Sequence, residues 1–127
     1  MSEPTTQSLS PPWLNQLAPD ALLISSVLNR PLQGRDAIIK VVQTAGGLYE
    51  SHSVVFQGTL GERELVEYDA RAFGGSNLHG VLTLSRNPTG DIIEVGIHHG
   101  PLGAVNRLSA ALKETLATEI GVDYFLP

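Results

Sequence analysis

The chain has 127 residues, no cysteine and a formal net charge of −5. That length suits one domain with its own core and no disulfide or metal staple. The absence of cysteine excludes thiol catalysis, zinc–cysteine sites and a disulfide framework, and fits a cytoplasmic protein, while mild acidity and scattered basic residues argue against nucleic-acid binding.

Residues 1–12 are rich in Ser, Thr and Pro and carry no Lys or Arg. With no apolar stretch of signal-peptide kind, they read as a flexible N-terminal arm, and 13–127 as a single domain. No segment approaches the roughly 20 apolar residues of a membrane span. Ser10 would cap a short helix with Trp13, Leu14 and Leu17 on one face, ended by Pro19. Asp20 to Leu28 is apolar on both faces, as in a strand covered on both sides. Asn29 to Gly34 reads as a loop.

Arg35 to Leu48 is a helix by its spacing of Ala37, Ile38, Val41, Val42, Ala45 and Leu48. Asp36 suits its first turn, and Gly46-Gly47 is the expected stop. Four strands follow: His52 to Leu60, Arg63 to Phe73, Leu78 to Arg86 and Asp91 to His99, joined by short Gly/Asn/Pro turns that favour antiparallel pairing. Pro101 to Ile120 is the last helix, with Leu102, Val105, Leu108, Leu112, Leu116 and Ile120 as its buried stripe and Gly121 as cap. The tail Val122 to Pro127 is apolar, as if folded over a pocket mouth or onto a second subunit. Clustered strands with segregated helices make the fold class α+β.

Three stretches carry a family resemblance. Pro31-Leu-Gln-Gly-Arg-Asp-Ala-Ile38 leads a strand into a helix. Leu78-His-Gly-Val-Leu-Thr-Leu84 follows the central hairpin, and Thr89-Gly-Asp-Ile-Ile-Glu94 runs on to Pro101-Leu102 and the closing helix. Their order and spacing resemble the nuclear transport factor 2-like superfamily, SnoaL-like members included, over roughly Leu17 to Leu116. Many relatives carry an Arg where Gly100 stands here. The resemblance implies a cone: a strongly curved, mostly antiparallel sheet packed against N-terminal and C-terminal helices around an apolar cavity. It also implies a homodimer through the outer sheet face. Relatives include ketosteroid isomerase, polyketide cyclases, dehydratases and non-catalytic members, so fold alone leaves function open.

Period-two alternation puts Leu65, Glu67, Asp69, Arg71 and Phe73 on one strand face and Val66, Tyr68, Ala70 and Ala72 on the other. It likewise separates Glu94 and His98 from His99. A cavity acid next to a histidine could exchange protons near neutral pH. Asp69, Glu94 and His98 are therefore the catalytic candidates, with Arg71 orienting Asp69. Arg71, His79, Tyr49, His52, Tyr68 and Leu82 are the ligand-binding candidates, and Leu22, Ile38 and Val42 further wall residues. Inverted strand faces would bring Tyr68, Thr83 and His99 inward instead. Solvated ion pairs are the bland alternative for the charged face. Glu94 and His98 lie roughly 13 Å apart along one strand, too far for one ion, so no metal and no cofactor is expected. The functional expectation is a hydrophobic small molecule in the cavity, turned over by an isomerase, cyclase or dehydratase; a non-catalytic binding or assembly module is the alternative.

Overall fold

A computed structural model describes residues 11–127. Ser10 and most of the arm lie outside the described residues. A 3-10 turn at Pro12–Gln16 precedes strand β1 (Leu17–Ser25). Strand β2 (Leu32–Gln33) follows, then helix α1 (Arg35–Leu48) and four strands: β3 (Tyr49–Leu60), β4 (Arg63–Ala72), β5 (Ser76–Arg86) and β6 (Ile92–Gly100). Helix α2 (Leu102–Ile120) and a 3-10 turn at Val122–Tyr124 close the chain.

The strands form one six-stranded sheet in the order β2-β1-β6-β5-β4-β3. Every pair is antiparallel except β1 with β6, which is parallel. Long-range pairing moves some boundaries away from the sequence expectation. Pro19 does not end a helix; it lies inside β1, in the irregular stretch between Leu17 and Leu22 where the register with β6 shifts, so its missing N–H is tolerated. Leu32 and Gln33 are a short edge strand rather than loop, because they pair with Leu23 and Leu22. Gly34, at φ 115°, turns the chain from that strand into α1. Gly46 is buried within α1, which passes the glycine pair and ends at Leu48.

Register shifts bend the sheet. Two fall in β3, between Tyr49 and Ser51 and between Val54 and Phe56, and one between Ser85 and Arg86 where β5 meets β6. The last puts Ile92 inside and leaves Ile93 exposed. The inner face carries Tyr68, Ala70, Leu78, Leu82, Leu84 and Val95 against α2, whose Leu108, Leu112 and Leu116 are fully buried. Leu102 does not join that stripe: it starts the helix, beyond the core, and is 72% exposed. Helix α1 packs on β1 and α2 and stands off β3 and β4. The tail packs back on its own chain and does not line the cavity between α1 and the sheet. Phe125 is buried and bridges to Leu28, and Ser109 Oγ donates to Val27 O (2.8 Å) while accepting from Leu126 N (3.0 Å).

Candidate functional site

The gap between α1 and the β3–β4 end of the sheet is a cavity of about 510 Å³. Val41, Val42, Ala45 and Gly46 form its helix wall, and these short side chains do not fill the space. Leu23, Val66, Leu82, Ile97, Leu108 and Leu112 form the floor, with Trp13 and Val54 beside it. Four ionisable side chains reach it, Tyr49, His52, Tyr68 and His99, and none of its lining residues is Asp, Glu, Lys or Arg.

Cross-strand register assembles this polar end. Tyr68 faces Gly80 across the β4–β5 ladder, and Gly80 faces His99 across β5–β6. Gly80 is required by space: a Cβ there would lie 2.5 Å from Tyr68 Cζ. The missing side chain lets the tyrosine ring lie over β5 and reach the imidazole two strands away. Tyr68 Oη stands 2.7 Å from His99 Nε2, and Tyr49 Oη stands 3.0 Å from the same nitrogen. His99 is fixed from its backbone too, whose N–H donates to Ser26 Oγ at 2.9 Å. His52 stacks on Tyr49 with ring centroids 6.0 Å apart and tilts over Tyr68 at 4.7 Å.

Burial holds this group neutral. It pushes the His99 pKa down to about 4, with the nearby His98 charge adding to the effect. It lowers His52 and raises Tyr49, the latter opposed by a hydrogen bond with Tyr68. Tyr68 is raised well above the usual tyrosine range by burial first and by Tyr49 second. At pH 7 the cavity therefore presents two imidazoles and two phenols without formal charge.

Of the residues singled out from the sequence, Tyr49, His52, Tyr68 and Leu82 line the cavity and Val42 joins its wall. Asp69, Arg71, His79, Glu94 and His98 do not. The apolar set Val66, Tyr68, Ala70 and Ala72 packs toward the core, so alternation drives Glu67, Asp69 and Arg71 outward. His79 sits opposite Asp69 on that outer face, with Nδ1 2.8 Å from Asp69 Oδ1 and Nε2 2.9 Å from Glu67 Oε2. Hydrogen bonding to Asp69 raises the His79 pKa most, desolvation opposes it, and the hydrogen bond and charge of Glu67 add to the rise. On β6, Val95, Ile97 and His99 point inward, which places Glu94 and His98 outside. Of the inverted set, Tyr68 and His99 are inside, whereas Thr83 shares the outer face with Leu65. Leu22 points away from the cavity, where its neighbour Leu23 points in, and Ile38 is core. His99 is the member of the cluster that the favoured strand orientation missed; its signal was parity with Val95 and Ile97. Among the described residues no group of three or more His, Asp or Glu could hold a metal ion, and no helix is long and apolar enough to cross a membrane.

No protein-family model matches the chain, and no curated protein matches it in sequence. Solved structures do match in shape. A steroid delta-isomerase from Pseudomonas aeruginosa superposes with TM-score 0.78 at 22% identity, covering 89% of this chain and 82% of that one. An uncharacterised bacterial protein with a cystatin-like fold from Silicibacter pomeroyi DSS-3 gives TM-score 0.78 at 18% identity, over 91% and 87%. An NTF2-like protein of unknown function from Mesorhizobium loti gives 0.61 at 14% identity, over 72% and 77%. The chain has the nuclear transport factor 2-like α+β cone fold.

Proposed function

We propose that this domain binds a neutral, mainly apolar small molecule inside the cone and moves a proton on it, in chemistry of the isomerase, cyclase or dehydratase kind. The observation that carries this reading is the cavity of about 510 Å³ whose walls are apolar and whose polar groups converge at one end. An ionic ligand would exchange its hydration for a wall with no counter-charge, at a cost of several kcal/mol, which favours a neutral one. His52 is the proton-transfer group in this reading. Among the described residues its ring makes aromatic contacts only, so its nitrogens are free for a ligand. Burial lowers its pKa, so at pH 7 it is an unprotonated base. Tyr49, Tyr68 and His99 hold the polar end of the ligand. The outward positions of Asp69, Glu94 and His98 count against a carboxylate mechanism in this cavity.

Two measurements test the reading. Trp13 is the single tryptophan and stands at the cavity, so its fluorescence reports occupancy. Neutral N-phenyl-1-naphthylamine is expected to bind and quench it; binding of an anionic analogue in its place would defeat the neutral-ligand reading. Deuterium uptake from D₂O into nitrocyclohexane, a neutral carbon acid, is expected to exceed the buffer rate and to return to it in His52→Ala. Binding with no enhanced uptake would leave a non-catalytic binding module. On the outer face, exposed Phe56, Leu65 and Ile93 support a homodimer through the sheet. Sedimentation equilibrium checks this, and a monomer at micromolar concentration would refute it.

A further inference from the structure

The outer face of the sheet carries a hollow of about 620 Å³, distinct from the cone cavity. Cross-strand register builds it. Ser51 stands opposite Arg71 and Ser53 opposite Asp69 on the β3–β4 ladder, while Asn77 faces Arg71 and His79 faces Asp69 across β4–β5. Residues directly opposite share a sheet face, so these polar side chains converge on one patch, with Pro101 at its edge. Leu65 lies roughly 13 Å along β4 from Asp69, so the hollow stands apart from the apolar patch proposed for the dimer.

The groups in and around the hollow divide into those already engaged and those left over. His79 Nδ1 is 2.8 Å from Asp69 Oδ1 and Nε2 is 2.9 Å from Glu67 Oε2. Both ring nitrogens then donate, as only the imidazolium can. Glu50 on β3 is engaged as well, accepting from Gly74 N–H at 2.7 Å. Arg71 is left over. Its one hydrogen bond among the described residues runs from Nε to Asn77 Oδ1 at 3.4 Å, and no described carboxylate forms an ion pair with it. The Ser51 and Ser53 hydroxyls beside it likewise have no protein partner among the described residues, and neither does Asp69 Oδ2.

An unpaired guanidinium and a free carboxylate oxygen thus share one face of β4, on residues roughly 7 Å apart by strand geometry. The guanidinium fork takes a carboxylate through two parallel bonds, and Asp69 Oδ2 takes an ammonium. We propose that the hollow binds a free α-amino acid, its carboxylate on Arg71 and its ammonium on Asp69, as a site separate from the cone cavity. With His79 protonated, the charges of Arg71 and His79 cancel those of Glu67 and Asp69. A zwitterion leaves that balance unchanged, whereas a plain carboxylate adds a negative charge to a chain already at −5. His52 and Ser53 line both spaces, so the site adjoins the cavity wall.

The experiment titrates the whole wild-type chain at pH 6, where the His79 pKa, raised first by Asp69, keeps the ring largely charged. Three probes of one shape are used: L-valine, L-valinamide, which lacks the carboxylate, and isovalerate, which lacks the ammonium. ¹H–¹⁵N spectra follow the Arg71 Nε–H and the Asn77 side-chain amide. L-Valine is expected to give saturable shifts in the millimolar range, with each analogue about tenfold weaker. Arg71→Gln, read at Asn77, is expected to remove the response, and Arg63→Gln, at the far end of the same strand, to leave it unchanged. Isovalerate bound as tightly as L-valine would make the hollow a plain anion site, and valinamide bound as tightly would make it a cation site; either overturns the proposal. So does a wild-type chain without saturable shifts, a response that survives Arg71→Gln in a natively folded variant, or one that Arg63→Gln removes equally. The cavity reading stands or falls separately, on its own probes.

Discussion

His99 combines two roles that pull in opposite directions. Its position at the end of β6 lets two tyrosines converge on one nitrogen, and the same burial makes its charged form costly. The consequence for stability has a definite sign. In the unfolded chain His99 titrates near 6.5 and in the folded chain near 4, so between those values the unfolded state binds more protons. Stability from this group is fully present above pH 6.5 and is lost as the pH falls toward 4. A difference of this size is worth about 3 kcal/mol, upper limit, for a group this enclosed. Urea midpoints taken at pH 7 and pH 4.5 are expected to fall by an amount that His99→Gln largely abolishes. An equal fall in the variant would assign the acid sensitivity elsewhere. His79 works in the other direction: its folded pKa is raised by Asp69 and Glu67, so its contribution is present below 6.5 and fades as the pH rises through its folded value. It is exposed to solvent, and screening keeps that contribution small.

At the scale of elements, legibility followed the range of the interactions. Helix α1 and helix α2 could be read because each carries its apolar spacing within its own sequence, as at Ile38 and Val41 or at Leu108, Leu112 and Leu116. The hairpins β3–β4 and β4–β5 could be read because their turns are local. What could not be read is what pairing over long separations decides. Leu32 and Gln33 are a strand only because Leu22 and Leu23 lie beside them, and nothing within that dipeptide signals it. The bulge at Ser85/Arg86 shifts the phase of β6 at Ile92 and Ile93, which alternation alone does not foresee. The same limit explains the site. Parity alone splits β4 into a Tyr68 face and an Asp69 face without saying which is inside. The favoured choice put the charges inward, on the expectation that chemistry needs them. Packing chose the opposite: one face could bury Val66, Tyr68, Ala70 and Ala72, and a carboxylate there would have no partner. The tail shows the same rule. Its apolar Phe125 was visible in the sequence, but its seat against Leu28, held through Ser109, depends on a contact across the whole chain.

For the molecule as a whole, the cavity sets stability against function. Walls that meet across empty space lack the dispersion contacts of a filled core, so a domain without a ligand role would gain by closing the gap. The materials for closing it are present: α1 is already a helix of favourable spacing, and its wall at Ala45 and Gly46 is made of the smallest side chains. Ala45 lies on the cavity side of α1, where a larger apolar side chain would extend into open volume rather than into backbone. Ala45→Phe is therefore expected to raise stability by about 1–2 kcal/mol through newly buried apolar area, visible as a higher thermal midpoint. The same change is expected to abolish quenching of Trp13 by N-phenyl-1-naphthylamine, because the probe and the new ring compete for one space. The two readouts separate the possibilities. A more stable protein that no longer binds means that the cavity is kept open for a ligand at the expense of the core. A destabilised protein would mean that α1 cannot accept the ring and that the space is narrower than its geometry indicates. Higher stability with binding unchanged would place the probe somewhere other than between α1 and the sheet.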